Sequence, residues 1–228
     1  ICFNLVRFLN FGRLVSKYSN QNLIIMKTTK ILSLLLLLTL CSFRTNPVAL
    51  TEAERSYAIN YLNETKENLL AAVKGLSAEQ LNFKPTPESW SVAECIEHIA
   101  ISESMLFGMM QGTLKEAANP AKRSEVKMTD DQVKSVISSR ERKVKTSEAF
   151  VPSNKFGSAD GSLKEFASKR DASIEYVKTT QDDLRNHYAQ MPFGTMDSFQ
   201  VIIFMAGHSA RHTAQAKEVM ANANFPKK

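Results

Sequence analysis

The sequence predicts an all-α fold, a four-helix bundle with one accessory helix between the second and third long helices. Three observations carry this. Long amphipathic segments recur four times along the chain. Helix-start signals recur with them, a short hydroxyl followed three residues later by an acid or amide that satisfies two orphan N–H groups. No stretch reads as a convincing strand, and helices packed on helices are the layer architecture left.

Taken in order, the first helix spans residues 51–74. It opens on the capping box Thr51-Glu52-Ala53-Glu54 and stops near Gly75. A short turn of helix follows at 78–82, with Ser77 and Gln80 as its cap pair. The loop Lys84-Pro85-Thr86-Pro87 cannot continue a helix, because two prolines lack the N–H and restrict the residues before them. The second helix spans 91–111, from the box Ser91-Val92-Ala93-Glu94 to Gly112. The accessory helix spans 130–146, capped by Thr129 and Gln132. It reads as solvated, since Lys134, Arg140, Glu141, Arg142, Lys143 and Lys145 leave a thin apolar stripe. Pro152, Gly157 and Gly161 mark 147–161 as a loop. The third long helix spans 162–187 from the box Ser162-Leu163-Lys164-Glu165. Met191-Pro192-Phe193-Gly194 turns the chain, and the last helix spans 197–222 with Asp197 as its cap.

The N-terminal part reads differently. Met26 opens MKTTKILSLLLLLTLC, in which Lys27 and Lys30 precede an apolar block from Ile31 to Leu40. This is the pattern of a secretory signal over residues 26–44, too short for a comfortable membrane span. Residues 1–25 are then an over-extended start, outside the native protein. The mature chain is expected to be exported, periplasmic or secreted, with no transmembrane span, as one domain over 52–222. Cys41 follows Leu38-Thr39-Leu40, which resembles a lipoprotein processing site with Leu where a small residue is expected. Lipidation at Cys41 is the alternative to a free mature chain.

Charge excludes one class of partner. The chain carries 29 basic and 23 acidic residues. Arg7, Arg13, Lys17, Lys27, Lys30 and Arg44 all precede residue 45, where no acid occurs, so the body is formally neutral. A neutral body is no argument for nucleic acid, which asks for a basic face. Of Cys2, Cys41 and Cys95, only Cys95 lies in the body, so no disulfide forms within it.

The chemistry gathers around histidines. GHSARHTAQ, residues 207–215, places His208 and His212 one helical turn apart, directly after the apolar run from Val201 to Ala206. Side chains at that spacing share a face, about 6 Å apart at Cβ, and two imidazoles there can reach one metal ion. Helical zinc motifs use the same spacing, with a Glu beside the first His where Ser209 stands here. The bland alternative is two polar residues near a helix end. His98 lies on the flank of the second helix's apolar stripe, with Cys95, Ser102 and Met109. From there it can look into the bundle, or simply bond a carbonyl.

Other residues have two readings each. Cys95 is a soft ligand or a small apolar filler. Glu94 reads as a cap, and Glu97 points away from the stripe and reads as solvated. Glu103 falls within the apolar face and reads as the partner of a buried cation or as orienting a site residue. His187, at the expected C-terminal end of the third long helix, suits the helix dipole there, or shuttles a proton. Arg211 and Gln215 flank the histidine pair as supporting residues, as contacts for a substrate anion, or as solvated side chains.

Together, ESWSVAECIEHIAISE (88–103), HYAQMPFGTMDSFQVIIFM (187–205) and AGHSARHTAQAKEV (206–219) resemble the DinB-like family of metal-binding four-helix bundles. The resemblance covers about residues 52–222. It implies a divalent ion held by His98, His208 and His212, with Zn2+ or Ni2+ both suited to imidazole. Relatives of known activity resemble thiol-dependent transferases and isomerases using bacillithiol or mycothiol, and some are metal-dependent hydrolases. The export signal and the 130–146 helix depart from the cytoplasmic members. Low-molecular-weight thiols are mainly cytosolic, so export weighs against thiol transfer. The resemblance thus implies a hydrolase or transferase acting on a small molecule; a homodimer is the assembly open to it. The alternatives are a non-enzymatic bundle that binds metal or a small ligand, and a purely structural one.

Overall fold

The computed structural model describes residues 49–142 and 144–227. The expectations for the signal at 26–44, the start at 1–25 and Cys41 lie outside the described residues. Among the described residues six α-helices are formed: α1 (Glu52–Val73), α2 (Ala78–Asn82), α3 (Val92–Thr113), α4 (Asp130–Ser138), α5 (Ala159–Thr179) and α6 (Ser198–Met220). Short 3-10 turns lie at Pro120–Glu125 and Glu148–Phe150. Among these helices none is long and apolar enough to cross a membrane.

α1, α3, α5 and α6 make the bundle. α3 packs on α6 and α5, and α1 packs on the same two, so α1 and α3 face each other diagonally. α4 lies across the outside of α6 through Val133 and Ile137. α6 is therefore covered by α1, α3 and α4, which explains a first half buried without a break from Ser198 to Gly207. Gly207 lets α4 come close: a Cβ there would stand 3.3 Å from Ile137 and 3.4 Å from the Tyr61 hydroxyl.

The caps largely follow the sequence. Thr51–Glu54, Ser77–Gln80, Ser91–Glu94 and Thr129–Gln132 each form both arms of the box. Asp197 caps α6 by accepting from the Gln200 N–H at 2.8 Å. The box at Ser162 does not form. Ser158 caps α5 instead, and Gly161 sits in the first turn, where a Cβ would fall 2.2 Å from the Phe156 carbonyl oxygen.

Three expectations are corrected. α5 ends at Thr179 and not near 187: Thr180 turns extended, and its hydroxyl donates to the Asp182 carboxylate and accepts from the Asp182 N–H, which competes with the helix ladder. α4 ends at Ser138 and not near 146. Its apolar pair, Val133 and Ile137, has no successor among the charged residues from Arg140, and Arg140 turns back to Glu218. Between α5 and α6 lies a small antiparallel hairpin, β1 (Tyr188–Met191) and β2 (Gly194–Asp197), closed through Met191↔Gly194. The turn at Pro192-Phe193 was legible; strands of four residues are too short to show alternation.

The interior has two apolar clusters. One holds Leu62, Leu106, Ile174, Phe199 and Val201 through Ala206; the other holds Leu69, Ile99, Phe166 and Ala216. Between them runs a polar layer. Arg170 of α5 donates from Nε and Nη2 to Glu103 of α3, both at 2.7 Å. It also donates to the Leu62 carbonyl at 2.9 Å, the Thr65 hydroxyl at 2.7 Å and the Ser209 hydroxyl at 2.8 Å. All five guanidinium donors are used, and the layer joins the four long helices.

Candidate metal centre

α3 and α6 run side by side, and the centre forms where they meet. α6 presents His208 and His212 on one face, one turn apart, as the spacing requires. α3 presents His98 opposite. His98 Nε2 lies 3.1 Å from His212 Nε2 and 3.3 Å from His208 Nε2. Among the described residues this is the group whose ligand atoms converge, all within 4.8 Å of one another. Nitrogens on a tetrahedral ion with bonds of 2.0–2.1 Å stand about 3.3 Å apart, and the two separations from His98 Nε2 match that spacing.

The backs of the rings decide which nitrogens carry protons. His98 Nδ1 lies 2.7 Å from the Phe150 carbonyl oxygen, which can only accept, so this nitrogen donates. His212 Nδ1 lies 2.8 Å from Gln215 Oε1. Arg140 donates to that same oxygen at 3.3 Å, which fixes the amide's orientation and makes His212 Nδ1 a donor as well. Both Nε2 atoms are then bare lone pairs facing each other across 3.1 Å. Two acceptors held that close repel unless a cation sits between them. The residues fit a divalent ion on this ground.

Burial agrees. It pushes the pKa of His98 down, that of His208 down to about 3, and that of His212 down further, with the neighbouring imidazoles adding to the effect on the two α6 rings. All three rings are neutral at pH 7, the form that ligates metal. Trp90 lies against the pair, its ring 4.8 Å from His98 and 5.8 Å from His212. Phe204 stacks on His208 at 6.1 Å. His98 and His212 are buried, whereas His208 keeps part of its surface exposed.

The remaining candidates divide. Gln215 is beside the centre, behind His212. Arg211 donates to the Arg142 carbonyl, and its charge is felt at His208. His187 is not brought in. Its Nδ1 bonds the Asp183 carbonyl at 2.6 Å and its Nε2 the Glu116 carbonyl at 3.1 Å. Its own carbonyl accepts from Ser198, ten residues and so about 15 Å of helix before His208. Cys95 is a buried free thiol, pushed up to about 12 by burial, and is outside the convergent group. Glu94 is a cap, and Glu103 pairs with the buried Arg170. Glu97 is a correction: it is 6 % exposed and bonds the loop before α5. The reading of the sequence gave Phe150 no part, placed Arg140 on the solvated accessory helix and used Trp90 only within the resembling stretch 88–103; a backbone carbonyl leaves no mark in a sequence.

Residues 61–216 match the family model of the DinB superfamily. The chain belongs to that superfamily. The DinB match spans the convergent histidines and lies inside the domain expected at 52–222. A relative, the uncharacterized protein YuaE of Bacillus subtilis strain 168, is 28% identical over 164 residues, covering 71% of this chain and 96% of its own. Among solved structures, YfiT from Bacillus subtilis, described as a probable metal-dependent hydrolase with an unusual four-helix bundle topology, aligns at a TM-score of 0.50. That match has 15% identity and covers 76% of this chain and 89% of YfiT. At that identity the likeness shows the shared DinB fold.

Proposed function

We propose that this chain is a metal-dependent hydrolase of small molecules, with a divalent ion held by His98, His208 and His212. The observation that carries the reading is the pair of bare Nε2 lone pairs facing each other at 3.1 Å, each ring fixed from behind. Zn2+ and Ni2+ both suit this donor set. When bound by these three imidazoles, such an ion would supply Lewis acidity and lower the pKa of water towards neutral. The chain's own residues prepare the place. The Phe150 carbonyl and Gln215 hold their imidazoles in the ligating tautomer. Trp90 shields one side from water. Arg211, whose charge is felt at His208, sets a positive charge beside the centre for an anionic substrate group. The description of YfiT as a probable metal-dependent hydrolase supports the same chemistry. Thiol-dependent transfer is a second use of the same centre, and the export proposed from residues 26–44 weighs against it. His187 as a proton shuttle would need a substrate long enough to bridge to it.

A non-enzymatic metal or ligand carrier is the second reading, and one observation favours it. No carboxylate among the described residues joins the three rings, and Glu97 and Glu103 on the same helix are engaged elsewhere. Elemental analysis after chelator-free purification, followed by a panel of esters, amides and thiol acceptors, separates the readings. About one equivalent of metal, lost in His208→Ala and His212→Ala, with turnover abolished by His98→Ala, is the expected result. Metal without turnover across the panel turns the conclusion to the carrier. A wild-type chain that takes up no metal overturns both.

A further inference from the structure

Glu97 precedes His98 on α3 and is spent in an unexpected way. Its carboxylate is buried and forms no ion pair among the described residues. It accepts three consecutive backbone N–H groups: Ser153 at 2.9 Å and Lys155 at 2.6 Å on Oε1, and Asn154 at 3.0 Å on Oε2. Three adjacent amides can point at one carboxylate only if the chain curls around it. Asn154 supplies the curl with a φ of 60°, in the left-handed region that Asn tolerates better than most residues. Pro152 stiffens the approach by fixing its own φ. Three residues before Ser153, and two before Pro152, lies Phe150, whose carbonyl holds His98 Nδ1 at 2.7 Å. One stretch of loop is thus gripped by Glu97 and in turn grips His98.

We propose that Glu97 is a positioning residue for the metal centre, acting through the 150–155 loop to fix the tautomer and angle of the His98 ring. This rests on the three-histidine reading above for its purpose, although its geometry does not. The carboxylate is suited to the task. Buried, its two oxygens need donors, and the loop amides would otherwise need water. Each side therefore holds the other, and the Phe150 carbonyl arrives at the ring with little freedom left. Without the carboxylate the loop amides lose their common acceptor, and the carbonyl is free to leave His98. The ring is then free to take the other tautomer, which puts a proton on the nitrogen that ligates. Partners behind a ligating histidine typically account for about 10–100-fold in metal affinity.

The experiment compares the full chain with Glu97→Ala and Glu97→Gln in two readouts. The first is the histidine 15N spectrum of the metal-free protein, which reports which ring nitrogen of His98 is protonated. The second is a Zn2+ titration followed by the fluorescence of Trp90, the chain's one tryptophan, beside the His98 ring. The wild-type His98 is expected to be protonated at Nδ1. Glu97→Ala should lose that preference and bind Zn2+ about 10–100-fold more weakly. Glu97→Gln keeps one acceptor oxygen and should fall between, with the far-UV spectrum of the wild type confirming that it folds. An unchanged His98 tautomer in both variants, or Zn2+ affinity within twofold of wild type, overturns the proposal. If the wild type binds no Zn2+, the metal reading falls, and the tautomer comparison still decides whether Glu97 sets the ring.

Discussion

At the scale of single residues, the centre is held from behind by two oxygens, the Phe150 carbonyl on His98 and the Gln215 amide on His212. His208 and His212 announce themselves by spacing on a strongly apolar helix, and His98 by its place on the flank of another. The carbonyl of Phe150 arrives from 52 residues away and carries no side-chain signature. Glu97 misled for the same reason. Angular position on α3 predicted solvent, but the residues that cover it belong to a loop whose path no periodicity records. Gln215 can be tested directly. Gln215→Ala removes the acceptor behind His212, and Zn2+ affinity is expected to fall about 10–100-fold in a competition titration. The imidazoles also set a pH dependence. His98, His208 and His212 are all depressed in the folded state, while in the unfolded chain they protonate near 6.5. As pH falls from about 6.5 towards about 3, the unfolded state takes up protons that the native state refuses, so stability of the metal-free protein falls. Urea unfolding of the chelated protein between pH 7.5 and 5 should show this loss, and a His208→Asn/His212→Asn variant should show less of it.

At the scale of elements, local chemistry wrote starts more clearly than ends. A cap pair is a contact within one turn, so four boxes read from sequence formed as written. The ends of α4 and α5 depend on what the chain meets next. α4 stops where its apolar pair runs out and Arg140 finds Glu218; α5 stops where Thr180 and Asp182 bond each other. The start of α5 is a case where two signals competed. Ser162 and Glu165 make a plausible box, yet Ser158 wins, because the turn it begins tucks Gly161 against the Phe156 carbonyl, where only a residue without Cβ fits. Gly161→Ala is therefore expected to destabilise the protein by about 1–3 kcal/mol, as overpacking does. A thermal melt reads this as a fall of several degrees in a domain of this size. Ser162→Ala, at the box that does not form, should move the melt much less.

At the scale of the whole molecule, the bundle divides its interior so that one polar layer lies beside the histidine centre. Glu103 stands five residues after His98 on α3, and Ser209 follows His208 on α6. The layer containing Arg170, Thr65 and these two therefore links the helices that carry the ligands to the two that do not. Sequence showed Glu103 out of place on an apolar face and gave no way to choose Arg170 as its partner, since α5 carries several basic residues of similar spacing. Burial makes the pair indispensable in one sense and replaceable in another. Desolvating two ions is expensive, and their attraction and hydrogen bonds offset that only while both are present. Glu103→Leu alone leaves a guanidinium 0 % exposed without its counter-charge, and a loss of about 3–5 kcal/mol in urea unfolding is expected. Glu103→Leu combined with Arg170→Met removes both charges and should recover a good part of that loss. The metal gives an internal check on whether the layer also aligns α3 with α6. A ligand that binds only the folded state adds about 2.7 kcal/mol when present at 100 times its dissociation constant. If the layer serves folding alone, the double variant should gain as much from Zn2+ as the wild type does. If the layer also holds His98 in register with His208 and His212, the double variant should fold yet gain less, and the shortfall measures how much of the site is built by the bundle around it.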